Sequence, residues 1–213
     1  MATLWFNLYR LGATVLAAVF AMVVHEAVKA QMSARMGDPT PRNDGRLTLN
    51  PAKHVEPIGL LCMVALGFGW SQPTATKSTC YKDREKGTIV VQTSPILVNF
   101  ILGIIFAFAL QAFRTYVAYT AAGVPMSANP MFPYVNHALA EMARLNVNLA
   151  LINMVPVYPM CGWKIMLALL NPVTRAKCLG YEKIFQTFFA LLLLSGMLGI
   201  LLNPISRAIV GVG

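Results

Sequence analysis

The fold class this sequence predicts is an all-α polytopic membrane protein, and three observations predict it. Of 213 residues, 57% are apolar and only 12% are charged, whereas an ordinary soluble domain carries roughly 25% charge. Two stretches hold no charge at all, residues 87–113 over 27 positions and residues 184–206 over 23. Each can span the roughly 30 Å hydrocarbon core at about 1.5 Å per residue. Lys and Arg, 17 against 8 Asp and Glu, fall in short segments between apolar ones, where the positive-inside rule expects them. This composition excludes a soluble globular enzyme, and it excludes a disordered chain, whose signature is low hydrophobicity with high charge. The net charge of +9 does not point to a nucleic acid partner, because no aromatic side chains interleave the basic ones to stack on bases.

The elements follow in order. The first apolar run, 11–24, continues through His25, Glu26 and Lys29 towards Arg35, which puts three ionisable residues inside a membrane helix. It leads into His25-Glu26 and not into a small-residue cleavage site, so no cleavable signal peptide is expected. Residues 37–56 differ in texture. Asp-Pro and Asn-Asp-Gly are turn signals, and Arg46-Leu47-Thr48-Leu49 alternates polar with apolar, which predicts a short strand or hairpin. Non-helical backbone at a membrane must be buried in protein or line a wet cavity, so a site is expected nearby.

Basic clusters flank the next apolar stretch, residues 57–70: Arg35, Arg42, Arg46 and Lys53 precede it, and Lys77, Lys82, Arg84 and Lys86 follow. With both clusters on one side the segment cannot cross, and at about 21 Å as a helix it suits a re-entrant element. Residues 87–113 then span. The segment 115–143, with His137 and no Lys or Arg, reads as an outer loop. Residues 145–163, interrupted by Pro156 and Pro159, read as a broken helix. An inner loop at 174–183 holds Arg175, Lys177 and Lys183, and 184–206 is the last span. The result is one membrane-embedded domain over residues 1–213, with four crossings, one re-entrant segment and both termini outside. Cys62 and Cys161 lie in apolar segments while Cys80 and Cys178 stand alone in loops, so no disulfide framework is legible.

Two constellations could carry chemistry. In His25-Glu26-Ala27-Val28-Lys29, positions i and i+4 share a helix face. Zinc proteases use that spacing in His-Glu-x-x-His, where two imidazoles hold the metal and the Glu acts as general base; here Lys29 stands at the second His. Ionisable residues within a membrane helix point to function. The structural alternative is an internal ion pair of Glu26 with Lys29, three residues apart. The second constellation runs from Asn153 to Gly162. Its two prolines, three apart, unwind a helix and free backbone carbonyls, with Cys161 just after the break. A proline kink beside an inert buried Cys is the structural alternative there.

Taken together, these segments resemble the site-2 protease family of intramembrane zinc metalloproteases, over roughly residues 8–172. His25-Glu26 looks like the start of that family's His-Glu-x-x-His helix. Gly37-Asp38-Pro39-Thr40, Gly45-Arg46-Leu47-Thr48-Leu49-Asn50-Pro51 and His54-Val55-Glu56-Pro57-Ile58-Gly59 look like the segment after it. Phe68-Gly69-Trp70 with Pro73 resembles Phe-Gly-Trp-Ala-Lys-Pro, Ser94-Pro95 with Asn99 resembles Ala-Gly-Pro followed by Asn, and Asn153 to Gly162 resembles Asn-Leu-Leu-Pro-x-x-Pro-Leu-Asp-Gly.

The resemblance implies a metal held by both His of the first motif and by the Asp of the last. Of these, His25 is kept, Lys29 replaces the second His and Cys161 replaces the Asp, while the general base, Glu26, is kept. Zinc is therefore the parent family's cofactor, and none is expected bound here: the Lys29 ammonium takes the cation's place and leaves Glu26 paired. The reading that follows is a non-catalytic pseudoprotease of a bacterial inner membrane, holding a transmembrane segment or serving in a membrane-protein complex. Two alternatives stay open. One is an active intramembrane zinc protease with an altered metal site of His25 and Cys161, with His54 able to join them and Glu26 as base. The other is a small transporter or channel whose path Glu26, Lys29 and Asn153 line.

Overall fold

The computed structural model describes residues 2–120 and 130–211. Its long elements are three helices: α1 (Ala2–Arg35), then, after two short helices, α2 (Thr40–Asn43) and α3 (Pro57–Leu66), the 37-residue α4 (Arg84–Thr120), and α5 (Phe132–Met154). Shorter helices complete the chain: α6 (Cys161–Leu169), α7 (Pro172–Gly180), α8 (Glu182–Leu194) and α9 (Met197–Val210). Single 3-10 turns sit at Pro51–Lys53 and Ser78–Cys80.

The core forms where α1, α4 and α5 meet. On α1, Ala17, Ala18, Ala21 and Met22 are fully buried and pack with Met63, Phe68, Leu145, Leu149 and Ile152. Small residues on α1 let its neighbours come close, and the same device joins α4 to α5: a Cβ on Gly103 would meet Val147 Cγ2 at 2.4 Å. At one end Tyr9 donates to Tyr134 O at 2.8 Å, Arg114 donates to Asn136 at 2.8 Å and Phe113 stacks on Phe132. At the other, Asp38 accepts from Ser33 at 2.8 Å and from the Lys77 N–H at 2.7 Å, and Arg175 pairs with Glu85 at 2.9 Å. Burial works against charge on Asp38, but the Lys77, Thr40 and Ser33 donors outweigh it and hold the carboxyl below the usual carboxylate range. The basic clusters around 35–53, 77–86 and 175–183 gather at this second end.

Helices α1 (Leu4–Arg35) and α4 are long and apolar enough to cross a membrane, and Glu182–Leu192 with Met197–Val210 makes a third if the bent pair is one span. The sequence predicts four. The difference lies in α5 and α6: α5 carries Glu141 and Arg144, ion-paired at 2.6 Å, and α6 has only nine residues. Of the outer loop predicted at 115–143, residues 115–120 belong to α4 and 132–143 to α5, while 121–129 lie outside the described residues. His137 therefore lies on a helix, 3.4 Å from Thr14 Oγ1. The uncharged run 184–206, predicted as one span, bends by 70° at Gly196, whose φ of +74° is the left-handed conformation glycine adopts readily.

The predicted strand or hairpin within 37–56 is not there; no strand occurs among the described residues. Pro39 and Pro41 bracket the start of α2, and Asn50 caps the turn at Pro51 by accepting from the Ala52 N–H at 3.0 Å. Between them, local partners replace a strand ladder. Arg46 donates to the carbonyls of Lys53, Gln72 and Pro73, and His54 Nε2 donates to Thr48 O at 2.8 Å.

Helix α3 makes the outward arm of a hairpin. Glu56 caps it by accepting the Gly59 N–H, Pro57 occupies its first turn, and Gly67 ends it with φ +82°. The chain then returns alongside, so close that a Cβ on Gly59 would lie 2.0 Å from Trp70 O, and one on Gly69 would lie 2.0 Å from Gly59 O. The Gln72 N–H donates to His54 O at 2.8 Å, so the arm begins and ends at the same level.

Candidate functional site

Residues 25, 26 and 29 project from α1 at its tightly packed middle, with His25 0%, Glu26 1% and Lys29 6% exposed. His25 is held through an amide chain that links three helices. Asn99 of α4 gives both amide hydrogens away, to Ala21 O at 3.1 Å and to Asn146 Oδ1 of α5 at 2.9 Å. Its Oδ1 is therefore an acceptor, and at 3.0 Å it takes the proton of His25 Nδ1. That fixes the tautomer and leaves the His25 Nε2 lone pair facing Cys161 Sγ at 3.5 Å, so the thiol donates to the imidazole.

The Glu26 carboxylate accepts from three donors. Lys29 Nζ lies 2.9 Å and Ser71 Oγ 2.7 Å from Oε1, the Thr74 N–H reaches Oε2 at 2.7 Å, and Thr74 Oγ1 touches the Glu26 carbonyl at 3.5 Å. Ser71 and Thr74 come from the return arm of the α3 hairpin, so that hairpin delivers two of the carboxylate's partners. Lys29 is also close enough to Cys161 for the two to interact electrostatically.

Cys161 is placed by the break between α5 and α6. The chain leaves α5 at Val155, turns through a Val157 N–H to Val155 O bond of 2.8 Å and a cis Tyr158–Pro159 peptide, and re-enters helix at Cys161. Asn153 donates to Leu149 O at 2.9 Å and accepts the Cys161 N–H at 3.5 Å. The following glycine is required: a Cβ on Gly162 would meet Met154 O at 2.4 Å and Val155 O at 2.6 Å. Two residues on, the Trp163 indole N–H donates to Glu182 of α8 at 2.8 Å, and its ring lies 5.8 Å from Phe185.

The structure thus brings His25, Glu26, Lys29, Asn153 and Cys161 together. It does not bring in His54, which is buried in the 48–54 turn through its bond to Thr48. Among the described residues, no group of three or more His, Cys, Asp or Glu is placed to hold a metal ion; His25 and Cys161 offer two donors, and a catalytic zinc requires three plus an open position. The sequence reading misses Ser71, Thr74 and Asn146. Ser71 and Thr74 carry no periodic signal because they sit in extended chain around Pro73. Asn146 does carry one, since a polar side chain within the apolar run 145–163 needs a partner.

The chain is similar, at 27% identity over 205 residues, to a protein of Bacillus subtilis (strain 168) named "Putative zinc metalloprotease YwhC", a match that covers 96% of this chain and 90% of that one. No family model matches the chain, and no solved structure does. A match over 205 of 213 residues necessarily takes in both His25-Glu26 and the break before Cys161. With its long apolar helices, this is a membrane protein similar over its whole length to one named as a zinc metalloprotease.

Proposed function

We propose that the protein is a multi-pass, site-2-protease-like member of a bacterial inner membrane that has kept the protease core and lost its metal chemistry, and that it acts by binding a transmembrane segment or a membrane-protein complex. The observation that carries this reading is the Lys29–Glu26 pair, buried and 2.9 Å apart. A cation already sits on the carboxylate that would otherwise serve as general base. Its ammonium, one helical turn from His25, repels a second cation, and the thiol already satisfies the remaining imidazole nitrogen. Such a site holds together without zinc, with the Glu26 charge balanced by Lys29 and both carboxylate oxygens already accepting hydrogen bonds.

Elemental analysis tests this. The purified wild type is expected to hold no stoichiometric zinc and to cleave no membrane substrate, while Lys29→His combined with Cys161→Asp gains zinc by restoring a three-donor set. One zinc per wild-type chain, lost on Cys161→Ala, would overturn the proposal in favour of an altered-site zinc protease. Substrate-dependent flux in proteoliposomes would instead favour a transporter.

The same reading makes the α3 hairpin re-entrant. In a background lacking the four native cysteines, single cysteines at positions 53 and 77 should label from the same face of the membrane. The His54–Gln72 bond at the base of the hairpin and the basic residues on both flanks support this expectation. Labelling from opposite faces would reverse every later crossing.

A further inference from the structure

A cavity of about 250 Å³ lies between the first turns of α4, residues 76–81 and helices α6 to α8. Arg84, Thr88 and Gln92 line it from α4 at intervals of four, hence from one helix face. The cavity therefore runs roughly 12 Å along α4, from the basic end of the molecule inwards. Near its outer end the charged groups are matched. Arg175 pairs with Glu85 and donates to the carbonyls of Leu167 and Leu170, and Glu182 takes the Trp163 indole proton.

At its inner end they are not. Gln92 is 2% exposed and has no side-chain hydrogen bond among the described residues. Lys164 reaches only Thr76 Oγ1, at 3.5 Å, and no described carboxylate lies within ion-pairing distance of it. Lys29, of like sign, acts on it electrostatically, and Glu26 and Glu182 act on it in the opposite sense without pairing with it. An ammonium has three donors and no acceptor, and a glutamine amide adds two donors and one acceptor oxygen. The cavity lining carries Arg84, Lys164 and Arg175 against Glu85 and Glu182, an excess of one positive charge, and the Gln92 amide adds hydrogen-bonding groups without a side-chain partner beside open space.

We propose that the inner end of this cavity is a binding site for an oxyanion group, a carboxylate or phosphate, with Lys164 and Gln92 as its donors. The group enters from the basic end, past Arg84, into a cavity that Tyr158 and Trp163 also line. It comes either from a small free anion or from the headgroup of an anionic lipid at that membrane face. The site stands apart from the reading of His25, Glu26 and Cys161, and does not depend on whether those residues hold a metal.

The test uses the full chain in uncharged detergent at constant ionic strength, with sodium chloride as the reference. Inorganic phosphate, acetate and short-chain phosphatidylglycerol are titrated separately while the thermal midpoint is followed. A saturable rise with phosphate or acetate assigns a free anion, and a rise with the lipid alone assigns a headgroup; either supports the site. Lys164→Met should weaken the responding ligand by about tenfold or more, as expected for loss of a charge-assisted hydrogen bond. Gln92→Leu should weaken it to a smaller extent, and it supplies the same comparison if the lysine variant does not fold. No saturable rise with any of the three, or an equal rise in wild type and in the variants, would overturn the proposal.

Discussion

Lys29→Met is expected to cost about 3–5 kcal/mol of stability, the range for removing one partner of a buried ion pair. Methionine keeps most of the lysine's length and apolar stem, so packing changes little; what is lost is the ammonium. The Glu26 carboxylate, 2% exposed as a side chain, would keep Ser71 and the Thr74 N–H as donors but no ion-pair partner. Adding Glu26→Gln should recover most of the loss, because an amide in that place needs donors and acceptors but no counter-ion. Equilibrium unfolding in detergent micelles, run as a double-mutant cycle, separates the pairwise contribution from the two single ones. A single-variant loss below about 1 kcal/mol, the scale of an exposed pair, would mean that water reaches Glu26.

Gly59→Ala should be nearly as harmful for a different reason. Its Cβ would lie 2.0 Å from Trp70 O and 2.9 Å from Trp70 C, so the obstacle is backbone with no rotamer to relieve it. The two arms of the hairpin must part, and the cost should reach the upper end of the overpacking range, about 3 kcal/mol. Separating the arms also draws Ser71 and Thr74 away from Glu26, so limited proteolysis around residues 70–76 should accelerate. Gly12→Ala is the control. Nothing lies within 4 Å of a Cβ there, and alanine in a helix interior is favoured over glycine by about 1 kcal/mol. Equal effects at the two positions would show that the arms are not in contact.

The parts of this structure legible in the sequence are those set by short spacing or by charge. His25, Glu26 and Lys29 share a stretch of α1 because helical geometry alone brings i, i+3 and i+4 together. The out-and-back path of residues 57–72 shows in the basic clusters on both flanks. The meeting of Cys161 with His25 could be read only through the family resemblance, since nothing local to either residue specifies the other. What stayed hidden depends on partners distant in sequence. Arg46-Leu47-Thr48-Leu49 alternates like a strand, but it finds no neighbouring strand, and Arg46 and His54 take up the carbonyls that a ladder would have used. The 184–206 run has the composition of one span, yet a single glycine with positive φ breaks it. Ser71 and Thr74 gain meaning only once the hairpin folds back over α1.

The indole bond from Trp163 to Glu182 fastens the start of α6 on two sides. Its first residue, Cys161, rests against His25, and its third is leashed to the beginning of α8. Helix α8 turns a greasy outer face away from the core, with Ile184, Phe188 and Leu191 all exposed. A load applied to that face is transmitted to the backbone two residues from the thiol, and α8 cannot swing outward until the leash to Glu182 gives way.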